Sequence, residues 1–114
     1  MLNEIYAAAG GSAGETIGRL GSEELVRTVV KKFAADDTFS RLKRALAADD
    51  CESAFMAAHT LKGVCANIGF DRLAELGAQL AEQLRGKNID GAKKLMCETE
   101  RCYEEIIAAC ERFI

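Results

Sequence analysis

The chain has 114 residues, a length typical of one domain. Hydrophobic residues make up 49% and charged residues 29%, which is a folded, globular composition and not a disordered one. The formal net charge is −3, and runs of Lys and Arg are no longer than two, so a nucleic-acid partner is not expected. No apolar run approaches the ~20 residues of a membrane span, and the N-terminus does not resemble a signal peptide. We therefore expect a cytoplasmic protein without a membrane partner.

The lack of proline and the abundance of Ala, Leu and charged helix formers predict an all-α protein. Apolar residues near the N-terminus indicate a short helix that the glycines of segment 10–14 break. Residues 15–20 form a further turn, with Ile17 and Leu20 facing inward. Further helices are predicted to follow Ser22 and to cover residues 39–48, 51–68, 72–85 and 91–113.

The ends of these helices carry residues that cap helices well. Ser22, Asp50 and Asp71 are suited to cap helix N-termini, and Gly69 is suited to end the helix before it. The inward stripes include Leu25 in the helix after Ser22 and Ile114 at the end of the last helix. Because the loops are short, consecutive helices should pack antiparallel, as an up-down helical bundle with short helices added at the N-terminus.

The five cysteines form no recognisable functional pattern. Their number is odd, no pair has the Cys-x-x-Cys spacing, and a single histidine cannot complete a typical zinc site with them. Cys65 and Cys110 lie on apolar helical stripes. We therefore predict small buried side chains in a reducing compartment, and no metal site.

The only histidine of the chain, His59, is predicted to face away from the core. On a helical wheel it falls about 160° from Leu61, which lies at the centre of the apolar face. The side chains around His59 are not the charged ones that usually cover an exposed face, but Phe55, Met56, Gly63 and Ala66. A glycine inside a helix costs about 1 kcal/mol relative to alanine. Gly63 leaves a hollow through which another macromolecule could reach the imidazole.

This arrangement is suited to phosphoryl transfer. A neutral imidazole is a good nucleophile near neutral pH, and Lys62, three residues further on, could stabilise phosphoryl oxygens as a point charge. A hydrolase would need a Ser or Cys nucleophile beside the histidine, and none is placed there. Because no Gly-rich phosphate loop is present, the chain should not bind ATP, and the phosphoryl group must come from and go to a partner.

The motif AHTLKGVCANIG resembles that of the histidine-containing phosphotransfer (HPt) domains of bacterial phosphorelays. The resemblance rests on His59, Lys62, Gly63, Ala66 and Gly69, and the flanking helices extend it over about residues 22–112. It implies one all-α domain over residues 1–114: an antiparallel up-down four-helix bundle, preceded by a helical extension over residues 1–21.

The resemblance also implies a role for each residue of the motif. His59 would carry a phosphoryl group taken from a receiver-domain aspartate and pass it to another receiver, Lys62 would stabilise the phosphoryl oxygens, and Gly63 would give the receiver access. The expected docking residues are Phe55, Met56, Ala66 and Asn67. The expected partners are response-regulator receiver domains and hybrid histidine kinases. The family has no kinase activity of its own, so no cofactor is expected, and the divalent metal ion for transfer belongs to the receiver.

One position departs from the family pattern. Several members carry a glutamine on the following helix that bonds the imidazole, and the equivalent residue here is Ala81, with Gln79 and Gln83 directed elsewhere. The residue that orients the ring is therefore open.

Two other readings of the sequence also stay open. The chain could be an adaptor that docks a receiver or kinase without phosphotransfer, or it could be the phosphoacceptor domain of a larger histidine kinase. Its start at Met1 and its end soon after the last helix favour a free-standing carrier, which we expect to be a monomer.

Overall fold

The computed structural model describes residues 2–114, and all regular structure in this part is α-helical. The helices account for 86% of the described residues, which confirms the prediction of an all-α protein. In chain order they are α1 (Leu2–Ala9), α2 (Ala13–Leu20), α3 (Glu23–Ala35), α4 (Thr38–Ala47), α5 (Cys51–Ile68), α6 (Asp71–Arg85) and α7 (Ile89–Phe113).

Three of the predicted helix ends are confirmed. The Ser22 side chain accepts a hydrogen bond from the backbone N–H of Leu25 at 3.1 Å, and the Asp50 side chain accepts one from Ser53 at 3.1 Å. Gly69 ends α5 in the left-handed conformation, with φ of 79°. An L side chain rarely adopts this conformation, so the glycine here fixes where α5 stops.

Two predicted helix starts are wrong. Asp71 is the first residue of α6 and not its cap, because Phe70 occupies the cap position with a fully buried ring. The last helix begins two residues before position 91. The side chain of Asn88 accepts a hydrogen bond from the backbone N–H of Gly91 at 3.0 Å, and this cap allows α7 to start at Ile89.

Four residues that were predicted to face the core are exposed or only partly buried. In α3 the buried line runs through Val26, Val30 and Phe33, so Leu25 falls beside it and is 44% exposed. Ile114 lies beyond the end of α7 and is 38% exposed. In α2, Ile17 and Leu20 pack against the core but are only partly buried.

Helix α5 lies between α4 and α6, with which it shares its most extensive contacts. Near the start of α5, the Cys51 thiol donates a hydrogen bond to the backbone carbonyl of Leu84, at 3.3 Å. Further along, Gly77 lies against the backbone of Lys62. Low residue numbers in one helix thus meet high numbers in the other, so α5 and α6 run antiparallel. Helix α7 packs on α6 and α1 and also contacts α4.

The aromatic residues connect the N-terminal helices to this core. Neighbouring ring centroids lie 4.0 to 5.9 Å apart in a series that runs Tyr6, Phe70, Phe33, Tyr103, Phe39. Aromatic pairs at such distances contribute about 0.5–1.5 kcal/mol each beyond the area they bury. The series joins α1, α3, α4 and α7 around the start of α6.

The N-terminal helices also hold the C-terminal end of α5. The Tyr6 hydroxyl donates a hydrogen bond to the backbone carbonyl of Ile68 at 2.6 Å, and the Arg19 guanidinium donates one to the carbonyl of Asn67 at 2.7 Å. The last carbonyls of a helix have no partner within it, so these bonds satisfy two of them. The end of α5 is therefore fixed two turns beyond His59.

Candidate functional site

Helix α5 buries one face and presents the other to solvent, as the helical wheel predicts. The buried residues are Ala54, Ala57, Ala58, Leu61, Cys65 and Ile68. His59, Lys62 and Gly63 are all exposed on the outward side. These three residues therefore lie on one solvent-accessible surface of α5.

The space beside Gly63 is open. A Cβ atom built on this glycine meets no other atom within 4 Å. No packing contact among the described residues therefore requires glycine here, although glycine weakens a helix by about 1 kcal/mol relative to alanine. This open space lies one turn from His59, on the same exposed face of α5.

A second glycine, Gly77, has the opposite surroundings. A Cβ atom there would lie 3.2 Å from both the Cα and the backbone nitrogen of Lys62, closer than such contacts normally are. Helix α6 therefore approaches the backbone of α5 directly behind Lys62. This contact fixes the helix segment from which the Lys62 ammonium extends.

Phe55 and Met56 line different grooves on the two sides of α5. Met56 is 60% exposed and lines a groove of about 630 Å³ between α4 and α5, together with Arg41 and Thr60. Phe55 is half-buried and lines a groove of about 560 Å³ between α5 and α6, together with Leu84 and Arg85. The predicted docking face thus has an apolar side chain on each flank. Ala66 and Asn67 are exposed further along the helix.

The imidazole of His59 packs beside the ring of Phe55. The two ring centroids are 5.9 Å apart and the ring planes differ by 19°, so the rings are nearly parallel. The guanidinium carbon of Arg85 lies 5.8 Å from the centroid of the Phe55 ring, and an Arg85 nitrogen lies 2.8 Å from a carboxylate oxygen of Glu82. Arg85, Phe55 and His59 therefore form a continuous series of contacts from α6 to α5.

No side chain from α6 hydrogen-bonds the imidazole within residues 2–114. Ala81 is buried, with 3% of its surface exposed, and offers no polar atom. The side-chain oxygen of Gln83 accepts a hydrogen bond from Asn88 at 2.7 Å, so this glutamine is engaged in the turn after α6. Gln79 is exposed and has no hydrogen bond to His59.

Lys62 is not neutralised by a nearby acidic side chain among residues 2–114. Its side chain is exposed, and it forms no ion pair with any residue in the described part of the chain. The basic residue on the other flank, Arg41, is paired with Asp37 at 3.3 Å. Lys62 is therefore an exposed cation on the same side of α5 as His59, without an ion pair in the described part of the chain.

Three of the five cysteines are buried, but Cys97 is exposed and Cys51, at the start of α5, is only partly buried, so the prediction of buried side chains is wrong for these two. Cys65 and Cys110 are buried, as predicted, and so is Cys102. Burial raises the pKa of the Cys65 thiol to about 12 and that of Cys110 to about 11, so both stay protonated near neutral pH. Cys97 is exposed, but it lies on α7 and not on the His59 face.

An all-helical domain with an outward histidine, followed by a lysine and a glycine, has the features of a phosphocarrier module of two-component signalling. The family model of the Hpt domain matches residues 32–109, and the chain belongs to this family. Hpt domains are phosphocarriers and not catalytic enzymes, and they interact with receiver domains in phosphorelays. Comparisons with curated proteins and with solved structures found no match. None of the helices in residues 2–114 is long and apolar enough to cross a membrane.

Two residues that shape this site, the buried Gly77 and the exposed Arg85, were not singled out from the sequence. Gly77 stands four residues after Leu73 on the apolar stripe of α6, and a glycine within such a stripe signals close helix approach. Arg85 stands in the last turn of α6, where a basic residue is favoured by the helix dipole alone, so its contact with Phe55 needed the structure.

Proposed function

We propose that this chain is a phosphorelay carrier. His59 accepts a phosphoryl group from the aspartate of one receiver domain and passes it to the aspartate of another. The observation that carries the proposal is the exposed face of α5, where His59, Lys62 and the uncovered Gly63 lie together. The packing of α5 between α4 and α6, with α7 on α6, supports an antiparallel four-helix bundle as its frame.

The chemistry needs only the imidazole and one nearby cation from this chain. The unprotonated ring nitrogen attacks the phosphorus of the partner's aspartyl phosphate, a nitrogen–phosphorus bond forms, and the bond to the aspartate oxygen breaks. The aspartate leaves as a carboxylate, and transfer to the next receiver reverses these bond changes. Lys62 offsets the negative charge of the phosphoryl oxygens. We assign the divalent metal ion to the acidic pocket of the receiver and no cofactor to this chain.

The receiver is proposed to dock over the outward face of α5. Phe55 and Met56 supply apolar contacts on its two sides, and Ala66 leaves room beyond Gly63. Asn67 lies at the far end, where the bond from Arg19 to its carbonyl joins α2 to the same surface. The open space at Gly63 then admits the loops that surround the receiver's aspartate.

The test is phosphoryl uptake by a His59→Gln variant. Purified protein is mixed with a receiver domain carrying labelled aspartyl phosphate, and acid-labile label on this chain is followed over time. We expect wild type and Cys97→Ser, an exposed substitution on α7, to take up label, and His59→Gln to take up none while keeping its helical circular dichroism. Label on His59→Gln would refute the assignment of the carrier. Receiver binding without label on the wild type would support an adaptor instead.

A further inference from the structure

We propose that Phe55 is a positioning residue that holds the His59 imidazole in a reactive orientation. The inference rests on the proposed function, since ring orientation matters for transfer only if His59 carries the phosphoryl group. The observation behind it is the nearly parallel arrangement of the two rings, with 5.9 Å between centroids and 19° between planes.

An exposed histidine ring has little to restrict it. The torsion that turns an imidazole is broad, because it joins a tetrahedral carbon to a planar ring. A hydrogen bond to one ring nitrogen would narrow it, but among residues 2–114 none is made to His59, and Ala81 cannot make one. The imidazole instead packs beside the ring of Phe55, which stands four residues earlier on the same helix and so on the same side of it.

Phe55 is itself held in place, which a positioning residue requires. Its ring is half-buried in the groove between α5 and α6, where Leu84 also lies. The guanidinium of Arg85 lies over the ring at 5.8 Å, and it also forms an exposed ion pair with Glu82 on the same helix. A cation over an aromatic face is attracted to it, so Arg85 restrains the ring from α6. The orientation of His59 is thereby coupled to α6 without a polar group that reaches the imidazole.

The expected consequence is a faster transfer step and not tighter docking. Productive attack needs the reacting atoms aligned before reaction, and a ring that turns freely spends less time aligned. From the strength of a typical aromatic pair, removal of the Phe55 ring should lower the maximal transfer rate about three- to tenfold. The receiver concentration that gives the half-maximal rate should change little if another apolar side chain replaces the ring.

The experiment compares three variants of the full chain. Phe55→Leu keeps an apolar side chain but removes the flat ring, and Phe55→Tyr restores a ring. Leu25→Met is the matched control, because Leu25 is an exposed apolar side chain on α3, outside the proposed docking face. Since His59 is the only histidine, its ring protons can be assigned in a proton NMR spectrum without ambiguity.

The spectrum of the unphosphorylated protein tests the contact directly. We expect nuclear Overhauser effects between the rings of Phe55 and His59, and His59 ring protons displaced by the ring current of Phe55. Phe55→Leu should abolish both signals, whereas Phe55→Tyr and Leu25→Met should retain them. In transfer assays Phe55→Leu should have a lower maximal transfer rate, Phe55→Tyr should recover the wild-type rate, and Leu25→Met should keep it.

The two possible failures can be told apart. If the wild type takes up no phosphoryl group, the proposed function is wrong, and the positioning role falls with it. If the wild type is labelled but Phe55→Leu keeps the wild-type maximal rate, or leaves the His59 protons unmoved, the positioning role is refuted while the carrier function stands.

Discussion

Replacing Gly63 by alanine should make this protein more stable. The position lies inside α5, and a Cβ atom there meets nothing within 4 Å, so the added methyl group causes no clash. Alanine is favoured over glycine in a helix interior by about 0.8–1 kcal/mol. For a chain of this length, that free energy corresponds to a rise of about 4 °C in the midpoint of thermal unfolding. Chemical and thermal denaturation measure both quantities.

A larger side chain at position 63 should abolish phosphoryl uptake without unfolding the protein. Gly63→Gln keeps a good helix former, so the fold should persist, but its side chain fills the open space beside His59. We expect receiver-dependent labelling of His59 to be lost while circular dichroism stays unchanged. Gly18→Ala, also in open space but on α2, is the control that should leave labelling intact.

Two results would count against this reasoning. If Gly63→Ala lowers the free energy of unfolding, the glycine serves the fold in a way the open space does not reveal. If Gly63→Gln takes up phosphoryl groups at the wild-type rate, receiver access does not depend on this gap.

Three further predictions concern the frame of the site. Gly77→Ala should destabilise the protein by about 1–3 kcal/mol in chemical denaturation, because its Cβ would lie 3.2 Å from the Lys62 backbone; unchanged stability would refute the tight approach. Tyr6→Phe should cost about 1–3 kcal/mol, because the buried carbonyl of Ile68 loses its donor; a neutral effect would show that the carbonyl finds another partner. Burial raises the pKa of Cys65 to about 12, so its unfolded thiol ionises first as the pH rises above ~9. The free energy of unfolding of the wild type should then fall about 1.4 kcal/mol per pH unit more steeply than that of Cys65→Ala up to about pH 11, and equal slopes would contradict this.

Helix content and most helix ends could be predicted because they depend on local signals. Ser22 and Asp50 bond to N–H groups three residues away, and Gly69 adopts a conformation that its own lack of a side chain permits. The start of α6 could not be read in this way. Asp71 has the chemistry of a cap, but the burial of Phe70 among rings from other helices decided which residue took that position.

In the candidate site, too, the features that depend on one helix could be predicted, and those that depend on packing between helices could not. The outward direction of His59 followed from helical periodicity within α5, which needs no knowledge of neighbouring helices. The surroundings of the imidazole also depend on α6. For that helix the sequence indicated only that Ala81 cannot form a side-chain hydrogen bond to the imidazole. That Phe55 and Met56 occupy separate grooves, and that Arg85 reaches the Phe55 ring, depends on how the helices pack.

The outward face of α5 carries an exposed apolar side chain, Met56, and a glycine in open space, Gly63. Met56 is 60% exposed, and burial of a side chain of this size is worth about 1.5–3 kcal/mol in full, so the unbound protein forgoes part of that stabilisation. Gly63 forgoes about a further 1 kcal/mol of helix stability with no contact that requires it. Neither residue strengthens the isolated chain, and both lie within about one turn of His59. A receiver that covers Met56 on docking would gain the burial free energy that the unbound protein lacks. The space left by Gly63, which costs helix stability, would give that receiver access to His59.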